Sequence, residues 1–415
     1  MKAKEWIVQY EEELVRLRRH FHERPELSLQ ETETMRTIED LLTNWQIETH
    51  RVEPGGILGV LDSGRPGHTV LLRADMDALP IEENPSNGKQ PKVSVSAVPG
   101  VSHACGHDGH MAMLLTIAHI LADCRAEWDG RVIFLFEQAE EAASPSLKNL
   151  LAYIREQGWH IDACGGTHVR WDLEAGKIGI VPGGAMAGMY GFTIEIAGKG
   201  GHGSRPDLAH SPIECFADAA SRLAGLRLSF LDPQECLSYS LGSVHSGEKS
   251  NIIPETLTFS GTARYFDTER VGKPFARRLA ALMDAACACH GCTWKTVRCS
   301  YLWEVRNDPA CAALMKEAVE NTLGSRAVCR PQPWMGSETM AAILALYPGV
   351  YIFTGIANAS LGSGANHHTP EFDIDEKGLL AGAAALLAYT LHILKEKPEI
   401  PFVPKAWEAV FPQEI

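Results

Sequence analysis

The sequence predicts an α/β protein: a mainly parallel sheet flanked by helices and interrupted by a smaller inserted α+β domain. Three observations carry this expectation. The first part alternates strand-like apolar runs with helical patterns. Near Gly183 the pattern changes to strands and helices that suit an antiparallel sheet. After Asn307 the α/β alternation resumes.

Trp6 to Phe21 and Glu31 to Trp45 have the apolar spacing of amphipathic helices. Thr69 to Leu72 and Val132 to Phe136 are short, apolar and rich in β-branched or aromatic residues, which suits strands covered on both faces. Between them, Met111 to Leu121 is too apolar for a surface loop and long enough for a buried helix. The next segment reads as strand Tyr190–Ile196, helix Ser211–Leu226, strands Leu237–His245 and Thr256–Tyr265, helix Glu269–Cys289 and strand Thr293–Ser300. Then come a helix at Pro309–Leu323, a strand at Val350–Thr354 and a helix over Asp375–Leu394, with Asp375 as its N-cap. The expected division is a discontinuous catalytic domain, 1–185 and 303–415, with 186–302 inserted.

A chain of 415 residues exceeds one ordinary core, so two or three domains are expected. Hydrophobic residues make up 45 % and charged residues 22 %, as in globular proteins. The net charge of −14 argues against a nucleic-acid or anionic-membrane partner, both of which attract basic surfaces. No stretch reads as the roughly 20 apolar residues of a membrane span. Met1 to Arg19 lacks the apolar segment of a secretion signal, so a soluble, cytoplasmic protein is expected. Its eleven cysteines are then expected as reduced thiols.

The densest chemical signal is His103-Ala-Cys105-Gly-His107-Asp108-Gly-His110. Cys105 and His107 are two apart and would face one side of an extended segment. A thiolate and an imidazole suit a borderline-soft divalent ion, and Asp108 could steady an imidazole from behind. A polar turn capping the following helix is the plainer alternative. A second signal is Glu140-Glu141, close after an apolar strand: on an extended backbone one carboxylate would hold a metal while its neighbour acts as base. A solvated acidic loop is the alternative there.

Asp75 and Asp77 follow another strand, His168 follows the run Ile161–Thr167, and the doublet His367-His368 precedes Pro370. Sites in open α/β sheets lie at the carboxyl ends of strands, so these segments could deliver donors to one crevice and hold two metals sharing a water. In the inserted part, His202 lies on the glycine-rich turn Lys199-Gly-Gly-His202-Gly-Ser204, which could equally be an ordinary turn. Asn251 and Arg264 are candidates for gripping a substrate carboxylate. Cys287-Ala-Cys289-His290-Gly-Cys292 lacks a matching ligand pair and is expected as buried small side chains at a helix end.

Together these stretches resemble the co-catalytic metallopeptidase and amidohydrolase family of the aminoacylases, in the branch of hippurate hydrolases, auxin-conjugate hydrolases and bacterial N-acyl-amino-acid deacetylases. The resemblance runs through Arg19–Leu27, Leu72–Pro80, Cys105–His110, Glu140-Glu141, the His202 turn, Gly336-Ser337-Glu338 and His368–Phe372. It implies a di-metal exopeptidase-like domain with a ferredoxin-like lid and dimerisation domain inserted. It implies Cys105, His107, Glu141, His168 and His368 as ligands of two divalent ions, Zn²⁺ or Mn²⁺, with Cys105 able to bridge. His368 is chosen over His367 because the family's ligand stands two residues before the proline. Asp75, Asp77 and Asp108 would stand behind the ligands.

Glu140 resembles the general base that deprotonates a metal-activated water. His202 resembles a histidine that a partner subunit offers to the oxyanion, and Asn251 and Arg264 would bind substrate. The implied activity is hydrolysis of N-acyl amino acids or related small amides by a homodimer. A dipeptidase, a carboxypeptidase, a hydrolytic deaminase and a catalytically silent scaffold are the alternatives. Thr339 stands where the family has an aspartate, Ala142–Ser146 replaces a glycine-rich run, and Glu83–Val98 reads as an inserted polar stretch.

Overall fold

A computed structural model describes residues 2–411. Met1 and residues 412–415, at the outer ends of the expected catalytic segments, lie outside the described residues. The backbone forms two compact units: Met1–Gly183 with Asn307–Gln332 and Ala342–Ile415, and Gly184–Arg306 with Pro333–Ala341. The stretch 333–341, expected with the catalytic segments, groups with the second unit. There Trp334 N–H donates to Ala185 O, and Ala187 N–H donates to Trp334 O and Gly336 O.

The first unit is built on an eight-stranded sheet. Its order is Glu48–Val52, Gly56–Asp62, Arg131–Glu137, Thr69–Asp75, Ala163–Glu174, Gly349–Ala357, Ile178–Gly179 and Val328–Cys329. The central strands Arg131–Glu137, Thr69–Asp75, Ala163–Glu174 and Gly349–Ala357 run parallel, and antiparallel pairs occur toward both edges. Helices on the sheet explain the unbroken apolar runs. Val132 through Phe136 have no exposed surface, and each such side chain contributes about 1.5–3 kcal/mol by leaving water. The two short antiparallel strands after residue 47 escaped sequence reading because neither alternates: none of Glu48–Val52 is buried, and six of the seven residues of Gly56–Asp62 are.

Helix His107–Asp123 and helix Glu376–Glu396 pack into this core with nearly every face covered. Asp375 caps the second, its side chain accepting from Lys377 N–H, as expected. This helix corrects the expectation that no segment could span a membrane: its length and composition suffice, and 72 % of its apolar window is buried inside the protein. A helix covered on all sides reads apolar throughout. The expected N-terminal helix is two, Lys2–Gln9 and Glu11–Glu23, separated at Tyr10.

The second unit holds a four-stranded antiparallel sheet in the order Leu237–His245, Thr256–Tyr265, Gly188–Ala197, Thr293–Leu302. Gly188–Ala197 alternates buried and half-buried residues, as a sheet with one covered face must. Helices Pro212–Phe230 and Lys273–His290 supply Cys215, Ala219, Leu223, Phe275, Leu279 and Met283 to the same apolar cluster as Phe192, Ile194 and Phe259. Ser211 caps the first helix, accepting from Glu214 N–H. The second starts four residues later than expected, after the single wide turn Thr268–Gly272.

Candidate active site

The donor-rich residues of the first unit meet at the carboxyl ends of its central strands. Gly106 makes the first turn possible. It sits at φ +92, and a Cβ there would lie 2.4 Å from Val169 Cγ2. His107 is therefore the first residue of a helix, and not part of an extended segment as its spacing had suggested. Cys105 and His107 converge through this left-handed turn rather than through pleat alternation. Glu140 and Glu141 also depart from expectation. Their strand ends at Glu137, and Ala139 turns left-handed at φ +56. Both carboxylates consequently join the same neighbour, His107, instead of pointing to opposite faces.

Four groups of donor atoms lie within 4.8 Å of one another: Cys105, His107 and His168; Cys105, Glu141 and His368; His107, Glu140 and Glu141; Asp75, His107 and His110. The first two share Cys105. Hydrogen bonds set the imidazoles. His107 Nδ1 lies 2.9 Å from the Asp77 carbonyl, an acceptor only, so Nδ1 carries the proton. Its Nε2 is buried without a hydrogen-bond partner, and Cys105, His168 and the glutamates surround it. His168 Nδ1 donates to Val169 O at 2.7 Å, which turns Nε2 toward Cys105 Sγ at 3.5 Å. An unprotonated ring nitrogen aimed at a thiol is the arrangement a metal ligand needs.

His168 lies inside a twelve-residue strand rather than beyond the strand's end. Of the doublet, His368 joins Cys105 and Glu141, with Nε2 3.0 Å from Glu141 Oε1. His367 is buried between the rings of His168 and Phe372, and burial lowers its pKa to about 3.

Carboxylates support the cluster in an order the sequence did not reveal. Asp77 Oδ1 lies 3.2 Å from His107 Nδ1, and Asp77 Oδ2 accepts Glu141 N–H at 3.0 Å and Ser28 Oγ–H at 2.7 Å. Asp75 accepts from His110 Nδ1 at 2.6 Å, and His110 Nε2 accepts Val169 N–H, so both nitrogens of His110 are committed. Burial works to raise the Asp75 pKa, but His107 and Arg73 outweigh it and hold the group well below the carboxylate range. The Cys105 thiol is pushed up by burial and by Glu141. It would ionise with a cation beside it.

Asp108 does not steady a ligand. Its Oδ2 accepts from His22 Nδ1 at 2.8 Å and pairs with Arg18 Nε at 2.9 Å, because the first turn of its helix points it toward helix Glu11–Glu23. His22 Nε2 also donates to Glu83 at 3.0 Å. Burial and Arg18 oppose its charge, yet the two carboxylates hold the imidazole pKa above its ordinary value. Glu83 further accepts from Lys92 Nζ at 2.9 Å, and that ammonium donates to Pro370 O at 2.9 Å. The polar stretch Glu83–Val98, much of it exposed, is thus anchored at Glu83 and Lys92 by paired charges withdrawn from solvent. His22 stands within the Arg19–Leu27 motif, but nothing in the sequence named its partners.

In the second unit, His202 and Asn251 come together on a two-stranded ribbon: Ile252 pairs with His202, and Gly203 N–H donates to Asn251 O. His202 is exposed, and its Nδ1 accepts Ser204 N–H at 3.1 Å, so the proton sits on Nε2. Arg264 is half-buried on Thr256–Tyr265. Cys287 and Cys292 are buried, Cys287 Sγ lying 3.7 Å from Cys215 Sγ, while Cys289 is exposed. Among the described residues this run joins no potential metal-binding group.

Residues 71–392 match peptidase family M20/M25/M40. The chain is 32 % identical to thermostable carboxypeptidase 2 of Saccharolobus solfataricus, over 95 % of this chain and 98 % of that one. It is 34 % identical to the N-acyl-L-amino acid amidohydrolase of Geobacillus stearothermophilus, over 71 % and 78 %. Its fold superposes on the Bacillus subtilis YXEP protein, a dinuclear metal-binding peptidase, with a TM-score of 0.78 and 28 % identity, covering 93 % and 99 % of the two chains.

Proposed function

The chain belongs to peptidase family M20/M25/M40, and from that premise we propose a metal-dependent hydrolase that cuts the amide bond of N-acyl amino acids. The observation that carries the reading is His107: one ring nitrogen tied to Asp77, the other buried without a hydrogen-bond partner among a thiol, an imidazole and two carboxylates. Such a donor set fits divalent cations. Cys105, His107, Glu141, His168 and His368 would hold two of them, with Cys105 common to two of the donor groups, and a solved relative is itself a dinuclear metal-binding peptidase. The thiolate favours Zn²⁺, with Mn²⁺ the alternative.

Bound there, the cations would polarise the scissile carbonyl and acidify an attacking water. The protein's own residues do the rest. Glu140 stands beside Glu141 near His107 and takes a proton from the water as its oxygen attacks the carbonyl carbon. It then returns that proton to the leaving amine as the C–N bond breaks, which balances the transfer. His202, whose Nε2 carries hydrogen, donates to the carbonyl oxygen as charge develops, and we assign it to a second copy of the chain in a homodimer. Asn251 and Arg264 are assigned to the substrate carboxylate.

A carboxypeptidase or dipeptidase is the second reading, favoured by the 32 % identical carboxypeptidase. The same water, base and carbonyl serve both. A screen of metal-reconstituted protein against N-acetyl, N-benzoyl and longer N-acyl amino acids beside dipeptides separates them. Metal-dependent release of free amino acid from the N-acyl set supports the proposal. Turnover of dipeptides alone replaces it with the peptidase reading. No turnover with metal bound leaves hydrolytic deamination or a silent scaffold.

A further inference from the structure

Glu31 has no part in the chemistry described so far, yet its carboxylate is wholly buried directly behind the turn that carries Glu140 and Glu141. One oxygen accepts the backbone N–H of Ala139 at 2.8 Å, and the other accepts Gln138 Nε2 at 3.1 Å. Gln138 is itself clamped to a neighbouring segment. Its Oε1 accepts Gly55 N–H at 3.1 Å, and its backbone N–H donates to Gly55 O. Every polar atom of the Gln138 side chain is therefore spoken for in one orientation, with its amide hydrogens facing Glu31.

We propose that Glu31 is a positioning residue for Glu140 and Glu141, its carboxylate latching the left-handed turn at Ala139 from which both side chains depart. A non-glycine residue at φ +56 is held by its surroundings, because the chain alone disfavours that conformation. Two donors converging on two carboxylate oxygens supply that hold, and a neutral amide at position 31 cannot. It could still accept from Ala139, but it would set an NH₂ against the NH₂ of Gln138. The inference rests on the reading of Glu140 as base and Glu141 as ligand.

The pairing supplies its own test. Exchanging the partners, Glu31→Gln with Gln138→Glu, restores complementarity. The amide at 31 then accepts from Ala139 and donates to the carboxylate at 138, whose second oxygen accepts Gly55 N–H. The experiment compares wild type, both single variants, the exchange and Glu141→Ala in the full chain. It measures Zn²⁺ affinity by competition with a chromophoric chelator, thermal melting, and kcat and KM on an N-acyl amino acid.

Glu31→Gln should weaken Zn²⁺ binding about tenfold and lower kcat by at least about tenfold with KM nearly unchanged, and the exchange should recover most of both losses. Wild-type affinity and kcat in Glu31→Gln, beside lost affinity in Glu141→Ala, overturn the latch alone. Wild-type affinity in Glu141→Ala overturns the ligand reading and the latch with it. Should Glu31→Gln not fold, the exchange decides: near wild-type values support the latch, and a cooperatively melting exchange with weakened Zn²⁺ binding overturns it.

Discussion

His107 and Glu141 share one carboxylate. Asp77 faces the His107 ring nitrogen with Oδ1 at 3.2 Å and holds the Glu141 backbone N–H with Oδ2 at 3.0 Å. A helix N-terminus and a turn from a different strand are thereby fixed to each other through a single buried side chain. Asp77→Ala should leave the fold intact and weaken metal binding about 10- to 100-fold, as loss of a ligand's hydrogen-bond partner does elsewhere. Chelator competition on the purified variant measures this directly. An affinity equal to wild type would show that the Asp77 backbone carbonyl, which the variant keeps, is enough to orient His107.

Glu140 and Glu141 differ in what their removal should do. Glu140→Gln keeps size and hydrogen-bonding shape but cannot accept the proton. It should bind metal as wild type does and lose kcat by roughly 10²–10⁴-fold. Metal analysis beside steady-state kinetics checks both halves. Turnover near wild type would remove Glu140 from the role of base.

Glu83 predicts a pH dependence of stability. Burial works to raise its pKa, but hydrogen bonds from His22, Lys92 and Ser96 bring it down to about 2 from an ordinary 4.5. A carboxyl depressed in the folded state contributes stability above the unfolded pKa, and that contribution fades as pH falls from about 4.5 to about 2. The difference amounts to about 3 kcal/mol at neutral pH. In urea titrations of metal-free protein, Glu83→Gln should be much less stable than wild type at pH 7, and the gap should narrow toward pH 2. A gap independent of pH would mean that the carboxyl is held by shape rather than charge.

His202 is exposed and supports no core, so His202→Ala should melt like wild type and bind metal normally. Its kcat should fall by about 10²–10³-fold, the usual cost of losing one donor to the developing oxyanion. Mixing His202→Ala with Glu140→Gln chains tests the assignment to a second copy. Heterodimers should recover part of the activity, because one of their two sites would then pair an intact base with an intact histidine. Proven heterodimers without recovery would place His202 in its own subunit's site or outside catalysis.

Much of the fold could be read directly. Val132–Phe136, Met111–Leu121 and the Asp375-capped helix are periodic or apolar enough that local pattern and burial agree. Misreadings fell where backbone direction depends on distant contacts. Cys105-Gly-His107 looks extended because a period of two fits it, yet Val169 leaves no room for a Cβ at Gly106 and the chain turns left-handed. Glu140-Glu141 likewise looked like a strand end, although Glu31, more than a hundred positions away, holds the preceding turn.

By itself the sequence determined the chemical inventory: a thiol, imidazoles and carboxylates close to strand ends, the alternation of an α/β unit, and the change of pattern at the inserted one. Those features are local, set by residue type and spacing. Tertiary structure alone decided which nitrogen of the His107 and His168 rings is left for a ligand, that Asp77 and not Asp108 backs His107, and that the Glu83 carboxylate and the Lys92 ammonium pair out of solvent. Each of these is a hydrogen bond or ion pair between segments far apart in the chain, and its existence depends on distances of a few ångströms that residue spacing does not encode.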